Sequence, residues 1–135
     1  MAAAAREVKL RGRPMPAPVC LIAAGETIVT VRGAGHGGRN QEIALAAAIE
    51  LAGETGILLT SFATDGREGN TDAAGAYASG NTIAAGRGAG RDPLACLAAN
   101  DAHTFLAAAG ELIVTGPTGT NVNDMTFTLV ENEGP

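Results

Sequence analysis

Four glycines fall within six residues, Gly33, Gly35, Gly37 and Gly38, and they divide two stretches of opposite character. Upstream, Thr27 to Val31 is rich in β-branched residues. Downstream, Gln41 to Ala52 is alanine-rich, with Ile43, Leu45, Ile49 and Leu51 spread over more than one helical face. A strand that turns on glycine into a widely covered helix commits the chain to a layered α/β arrangement. The same turn sets an amide-rich loop at a helix start, where anions bind well.

A length of 135 residues fits one domain with a real core, but only 3% of residues are aromatic, so alanine must supply much of the packing. Such cores form where helices lie close to a sheet. The net charge of −5, with basic residues scattered, provides no electrostatic footprint for nucleic acid or for acidic membranes. No apolar stretch is long enough to span a bilayer or to act as an export signal, which makes a cytoplasmic protein the plain reading. Cys20 and Cys96 have no Cys or His near them at ligand spacing, so neither zinc nor a disulfide framework is indicated, and both are expected reduced and buried.

Residues 1–18 read as an N-terminal extension or interdomain linker, because the part from Arg11 to Pro18 holds three prolines. Residues 19–131 form the domain, and 132–135 a C-terminal tail. Val19 to Ala23 and Thr27 to Val31 are short β-prone runs separated by Ala24-Gly25-Glu26, the pattern of a tight antiparallel hairpin. Ile57 to Ala63 is a continuous apolar run interrupted only by Thr60 and Ser61, which predicts a central strand buried on both faces. A short helix is expected from Ser79 or Asn81 to Arg87. Asp92-Pro93 and Asp101 mark two further helix starts, and Gly110 ends the second helix. Leu112 to Thr115 and Met125 to Val130 read as strands around the loop Gly116 to Asp124. The expected fold is therefore a single α/β domain, its mixed sheet flanked by helices.

Several residues in this frame can carry chemistry. Gly33-x-Gly35-x-x-Gly38 satisfies a dinucleotide-binding pattern, with Asp65 as the acidic residue past the next strand. Against that, the preceding strand is read as the second arm of a hairpin, and Asp65 lies later than the usual spacing of roughly 20 residues. Arg39 can grip a carboxylate or phosphate with a planar, two-pronged contact, assisted by amides of Gly37, Gly38 and Asn40, or it can be a surface arginine paired with Glu42 or another carboxylate. Asp65 follows a strand end, near Glu68, Thr71 and Asp72. It can bind magnesium or accept a proton from a hydroxyl, or it can be a turn-forming aspartate before Gly66. Thr118, Thr120 and Asn121 lie in a loop that suits either anion contact or a purely structural connection.

Separated blocks resemble, in order, the C-terminal or MOFRL domain of class II glycerate kinases. They are Gly25-Glu26-Thr27, Gly37-Gly38-Arg39-Asn40-Gln41-Glu42, Ala63-Thr64-Asp65-Gly66, Asp72-Ala73-Ala74-Gly75-Ala76, Asn100-Asp101 and Thr115 through Asp124. The resemblance implies one part of an ATP- and Mg2+-dependent kinase that phosphorylates the 2-hydroxyl of D-glycerate in a cleft between this domain and a larger N-terminal one. It implies that Arg39 and Asp65 face the cleft and that the chain is inactive or nearly so alone, with the N-terminal domain as its partner in cis or in trans. A non-catalytic binding or assembly module, and a component of an NAD(P)-dependent hydroxypyruvate reductase, are the alternatives. The glycine that precedes Gly25 in many relatives is Ala24 here, and Glu68 stands where aspartate is frequent.

Overall fold

The computed structural model describes residues 1–132, so the last three residues of the expected tail lie outside the described residues. Five strands form one sheet in the order β1-β5-β2-β3-β4, comprising β1 Val19–Gly25, β2 Ile57–Ala63, β3 Gly75–Ser79, β4 Leu112–Ile113 and β5 Asp124–Val130. Five helices accompany them: α1 Ala2–Arg11, α2 Arg39–Leu51, α3 Thr82–Gly88, α4 Pro93–Ala98 and α5 Ala102–Ala109. The α/β class with flanking helices stands as expected. Strand direction differs, since every pairing is antiparallel and the sheet is not mixed.

The expected hairpin does not form. β1 pairs along its whole length with β5, from Val19 opposite Val130 to Gly25 opposite Asp124, and Thr27 to Val31 belongs to no strand. The terminal strand of the chain takes the place beside β1 that sequence proximity assigned to Thr27–Val31. This partner offers a seven-residue register with an alternating buried pattern, which pins one face to the core.

Among the described residues, the helices cover one face of the sheet. Leu45, Leu51, Leu59, Phe105, Leu106 and Val130 form the bulk of the core, and Ala44, Ala48, Ala76 and Ala78 let α2 lie close against β2 and β3. β2 is central in sheet order, yet it alternates: Ile57, Leu59, Ser61 and Ala63 face the helices while Leu58 is exposed on the other side. The expectation of burial on both faces is thus corrected. On the uncovered face, Phe62 and Phe127 stack with ring centroids 5.8 Å apart. Cys20, expected to be buried, is exposed, and Cys96 is half-buried. Residues 1–18 include α1, whose Ala5 and Val8 are buried in the core. No helix of the described residues is long and apolar enough to cross a membrane.

Candidate active site

The site lies where β2 ends, β5 begins and α2 begins. Arg39 is the first residue of α2 and Asp124 the first of β5, and the two side chains meet in a two-pronged ion pair. Nε of Arg39 donates to one carboxylate oxygen, and Nη2 donates to the other at 3.0 Å. Nη1 lies 3.4 Å from Glu26 Oε1, a contact on the solvent side where Glu26 is largely exposed. The hydrogen bond to Asp124 raises the Arg39 pKa, burial works against it, and the charges of Asp124, Glu26 and Glu68 add to the rise. The guanidinium is held from behind by a buried acid and presented forward beside an exposed one.

In front of it is an open cavity of about 650 Å³. Arg39, Asp65, Gly37, Gly38 and Asn121 all line it, together with the extended segment from Glu26 to Val31 and the Asn70 side of the turn after β2. Arg39 and Asp65 therefore share one concavity. Asp65 is exposed, and its Oδ1 accepts the Arg67 N–H at 3.2 Å, a turn contact. Of its expected neighbours, Glu68 borders the same cavity but is largely buried at the start of α2, and Asp72 lies near His103 at 4.0 Å. Among the described residues, no group of three or more His, Cys, Asp or Glu side chains is arranged to hold a metal ion.

Three of the expected binding residues have other work. Asn40 is fully buried, with its Oδ1 accepting from Ser61 Oγ at 2.7 Å and its N–H donating to Glu68. Thr118 Oγ1 donates to the Thr64 carbonyl at 2.5 Å and accepts from the Thr120 N–H at 3.4 Å, which staples the loop to the end of β2. Neither Thr118 nor Thr120 lines the cavity, whereas Asn121 does.

The glycine loop is not an open cup of amides. The N–H groups of Arg32 and Gly33 donate to Asn100 Oδ1 at 2.7 and 2.9 Å, that of His36 to Asp101 Oδ1 at 2.9 Å, and that of Gly37 to Asn70 Oδ1 at 3.0 Å. Glycine is required because the loop presses on the turn between α4 and α5; a Cβ at Gly33 would sit 2.1 Å from the Ala99 carbonyl oxygen. A dinucleotide fingerprint needs a parallel strand before the loop and free amides in it. Here the preceding segment is no strand and these loop amides are spent.

Asp124, Glu26, Asn70 and Asn100 are site residues that the sequence does not single out, and Glu68 is singled out only as a neighbour of Asp65. Glu26, Asn100 and Asp124 fall inside the family-like blocks, but nothing in their spacing reveals that they converge on Arg39 and its loop.

The site is thus a charged cavity at one end of an antiparallel sheet, with a paired arginine at a helix start and an acidic residue at a strand start, in an α/β domain. The chain belongs to the MOFRL family, matched over residues 19–124. It is 50% identical over 125 residues to the D-glycerate 2-kinase of Thermotoga maritima, covering 93% of this chain and 30% of that protein. A relative from Agrobacterium vitis whose name is that of a hydroxypyruvate reductase is 42% identical over 132 residues, covering 96% of this chain and 30% of the relative. The fold superposes on the crystal structure of glycerate kinase from Thermotoga maritima with a TM-score of 0.93 at 49% identity, covering 96% of this chain and 31% of that one. The chain thus spans less than a third of the length of these proteins.

Proposed function

We propose that this chain acts as the C-terminal domain of an ATP-dependent glycerate 2-kinase, contributing one half of an interdomain cleft and completing no turnover alone. The observation that carries this reading is the Arg39 guanidinium, anchored by Asp124 and facing the cavity it shares with Asp65. Phosphoryl transfer asks a protein mainly for positioning and charge neutralisation. Arg39 neutralises the substrate carboxylate or the transferring phosphoryl group, and Asp65 orients either the attacking 2-hydroxyl of D-glycerate or a metal.

Mg2+ is held by one or two carboxylates plus nucleotide phosphates and water, so a lone exposed Asp65 fits it without a dedicated protein cage. That ion would offset charge on the phosphates of ATP. The remaining walls of the cleft come from the larger N-terminal domain, in cis or in trans.

A coupled assay with ATP, Mg2+ and D-glycerate tests the reading. The expected result is negligible turnover for the 135-residue chain and activity once the larger domain is supplied. In that assembly Arg39→Lys, which loses the two-pronged grip, is expected to lower kcat on the order of 100-fold while the fold persists. Robust turnover by the chain alone overturns the need for a second domain, and unchanged kinetics in the Lys variant removes Arg39 from the site.

A further inference from the structure

An anion already occupies the start of α2, and it is part of the chain. Glu68 Oε2 accepts the Asn40 N–H and Oε1 the Gln41 N–H, each at 2.8 Å, while the residue is only 7% exposed. These are two of the amide donors that a helix start leaves without intrahelical partners, and they sit at the positive end of the helix dipole. The surroundings are shaped for this carboxylate. A Cβ on Gly38 would lie 2.7 Å from Glu68 Cδ, and a Cβ on Gly69 would lie 1.9 Å from the Gly37 carbonyl oxygen, so the two glycine turns mate around it. Gln41 Nε2 donates to Thr71 Oγ1 at 2.9 Å, and Thr71 Oγ1 donates to the Glu68 carbonyl, which ties the helix start to the same turn a second time.

Arg39 stands directly before this seat on α2, and both Arg39 and Glu68 border the cavity. The arginine opens the first turn of α2, and from there its guanidinium reaches Asp124. We infer that Glu68 is a positioning residue: an internal anion that closes the helix-start anion site and fixes Arg39 in its pair with Asp124. A ligand anion in the cavity is then left to the Arg39 guanidinium and to the Gly38 and Arg39 N–H groups, which make no hydrogen bond among the described residues. The inference rests on Arg39 being the cleft-facing cation of the proposed function. Its test reads geometry rather than turnover, so the two fail separately.

The test is an NMR titration of the isotope-labelled chain, as wild type, Glu68→Ala and Glu68→Gln, with sodium phosphate and with sodium formate. In the wild type, phosphate is expected to leave the Asn40 and Gln41 amide signals in place, because Glu68 holds them. In the Ala variant the Arg39 Nε–H signal is displaced. Added formate shifts the Asn40 and Gln41 amides saturably and returns the Arg39 signal toward its wild-type position. The Gln variant keeps the bulk, so it shows the displacement without the return, and it carries the test if the Ala variant does not fold. Three results each overturn the inference: phosphate-sensitive Asn40 and Gln41 amides in the wild type, an Arg39 signal unmoved in both variants, or a folded Ala variant indifferent to formate.

Discussion

Glu68 pays for its position with desolvation. Burial pushes its carboxyl above the ordinary value of 4.5, and the Asn40 and Gln41 N–H donors pull the other way without matching it. The folded chain therefore binds this proton more tightly than the unfolded chain does. The residue's contribution to stability is greatest below 4.5 and declines as pH rises through the window above it. A glutamine at this position has no such window. Comparing wild type with Glu68→Gln by denaturant unfolding should therefore show the balance moving toward the wild type as pH is lowered from about 7 to about 4. The other carboxyls cancel in the difference. A pH-independent difference, or one moving toward the Gln variant, would mean that the amide bonds rather than burial dominate. Asp124 is also buried, but it is paired face to face with a guanidinium, so its charge has a charged partner rather than a pair of dipoles.

Local signals at the level of elements succeeded where the physics is local. Asp92-Pro93 was read as a helix start, and Asp92 Oδ1 accepts the Leu94 and Ala95 N–H groups at 2.9 and 3.2 Å. Asp92→Ala should cost about 1 kcal/mol in thermal or denaturant unfolding, and a cost near zero would mean that α4 is held by packing alone. Asp101 marks the start of α5 as expected, but its side chain caps no helix amide; it serves the His36 N–H and Thr104 Oγ1 instead. The alanine-rich α2, the apolar β2 and the final strand were equally legible, because period and composition decide them. Thr27–Val31 was misread for a physical reason. β propensity records how well a residue fits a pleated, half-buried surface, and here no partner strand provides one. Asn100 instead takes this segment, donating from Nδ2 to the Thr30 carbonyl at 3.3 Å while accepting from Arg32 and Gly33, and Ile28 and Val31 stay exposed. The pairing of β1 with β5 joins residues from the two ends of the domain, and no local pattern encodes it. Arg39 and Asp65 were legible as candidates by type and by place at element ends. Asp124 was not, and Glu68 was legible only as a neighbour of Asp65, since what makes them site residues is a meeting across the fold.

Across the whole molecule, the sheet keeps two jobs apart. At one end of β2 and β5 lie Ala63, Asp124 and the cavity. At the other end α1 docks: Arg6 Nε donates to Glu54 Oε1 at 3.1 Å, Lys9 Nζ donates to the Thr55 carbonyl at 2.8 Å, and Val8 is buried at 1% exposure. A seven-residue strand places these ends about 20 Å apart. Such a layout predicts that α1 can be undocked without disturbing the site. Val8→Asp would bury an unpaired carboxylate at a cost of several kcal/mol, so the helix should leave the core rather than accept it. Brief trypsin treatment read by mass spectrometry should then show faster cleavage after Arg6, Lys9 and Arg11, while the Arg39 Nε–H signal stays where it is in the wild type. If that signal moves with α1, the core transmits strain along the strands, and the geometry of the cation depends on the docking of residues 2–11 as well as on Glu68 and Asp124.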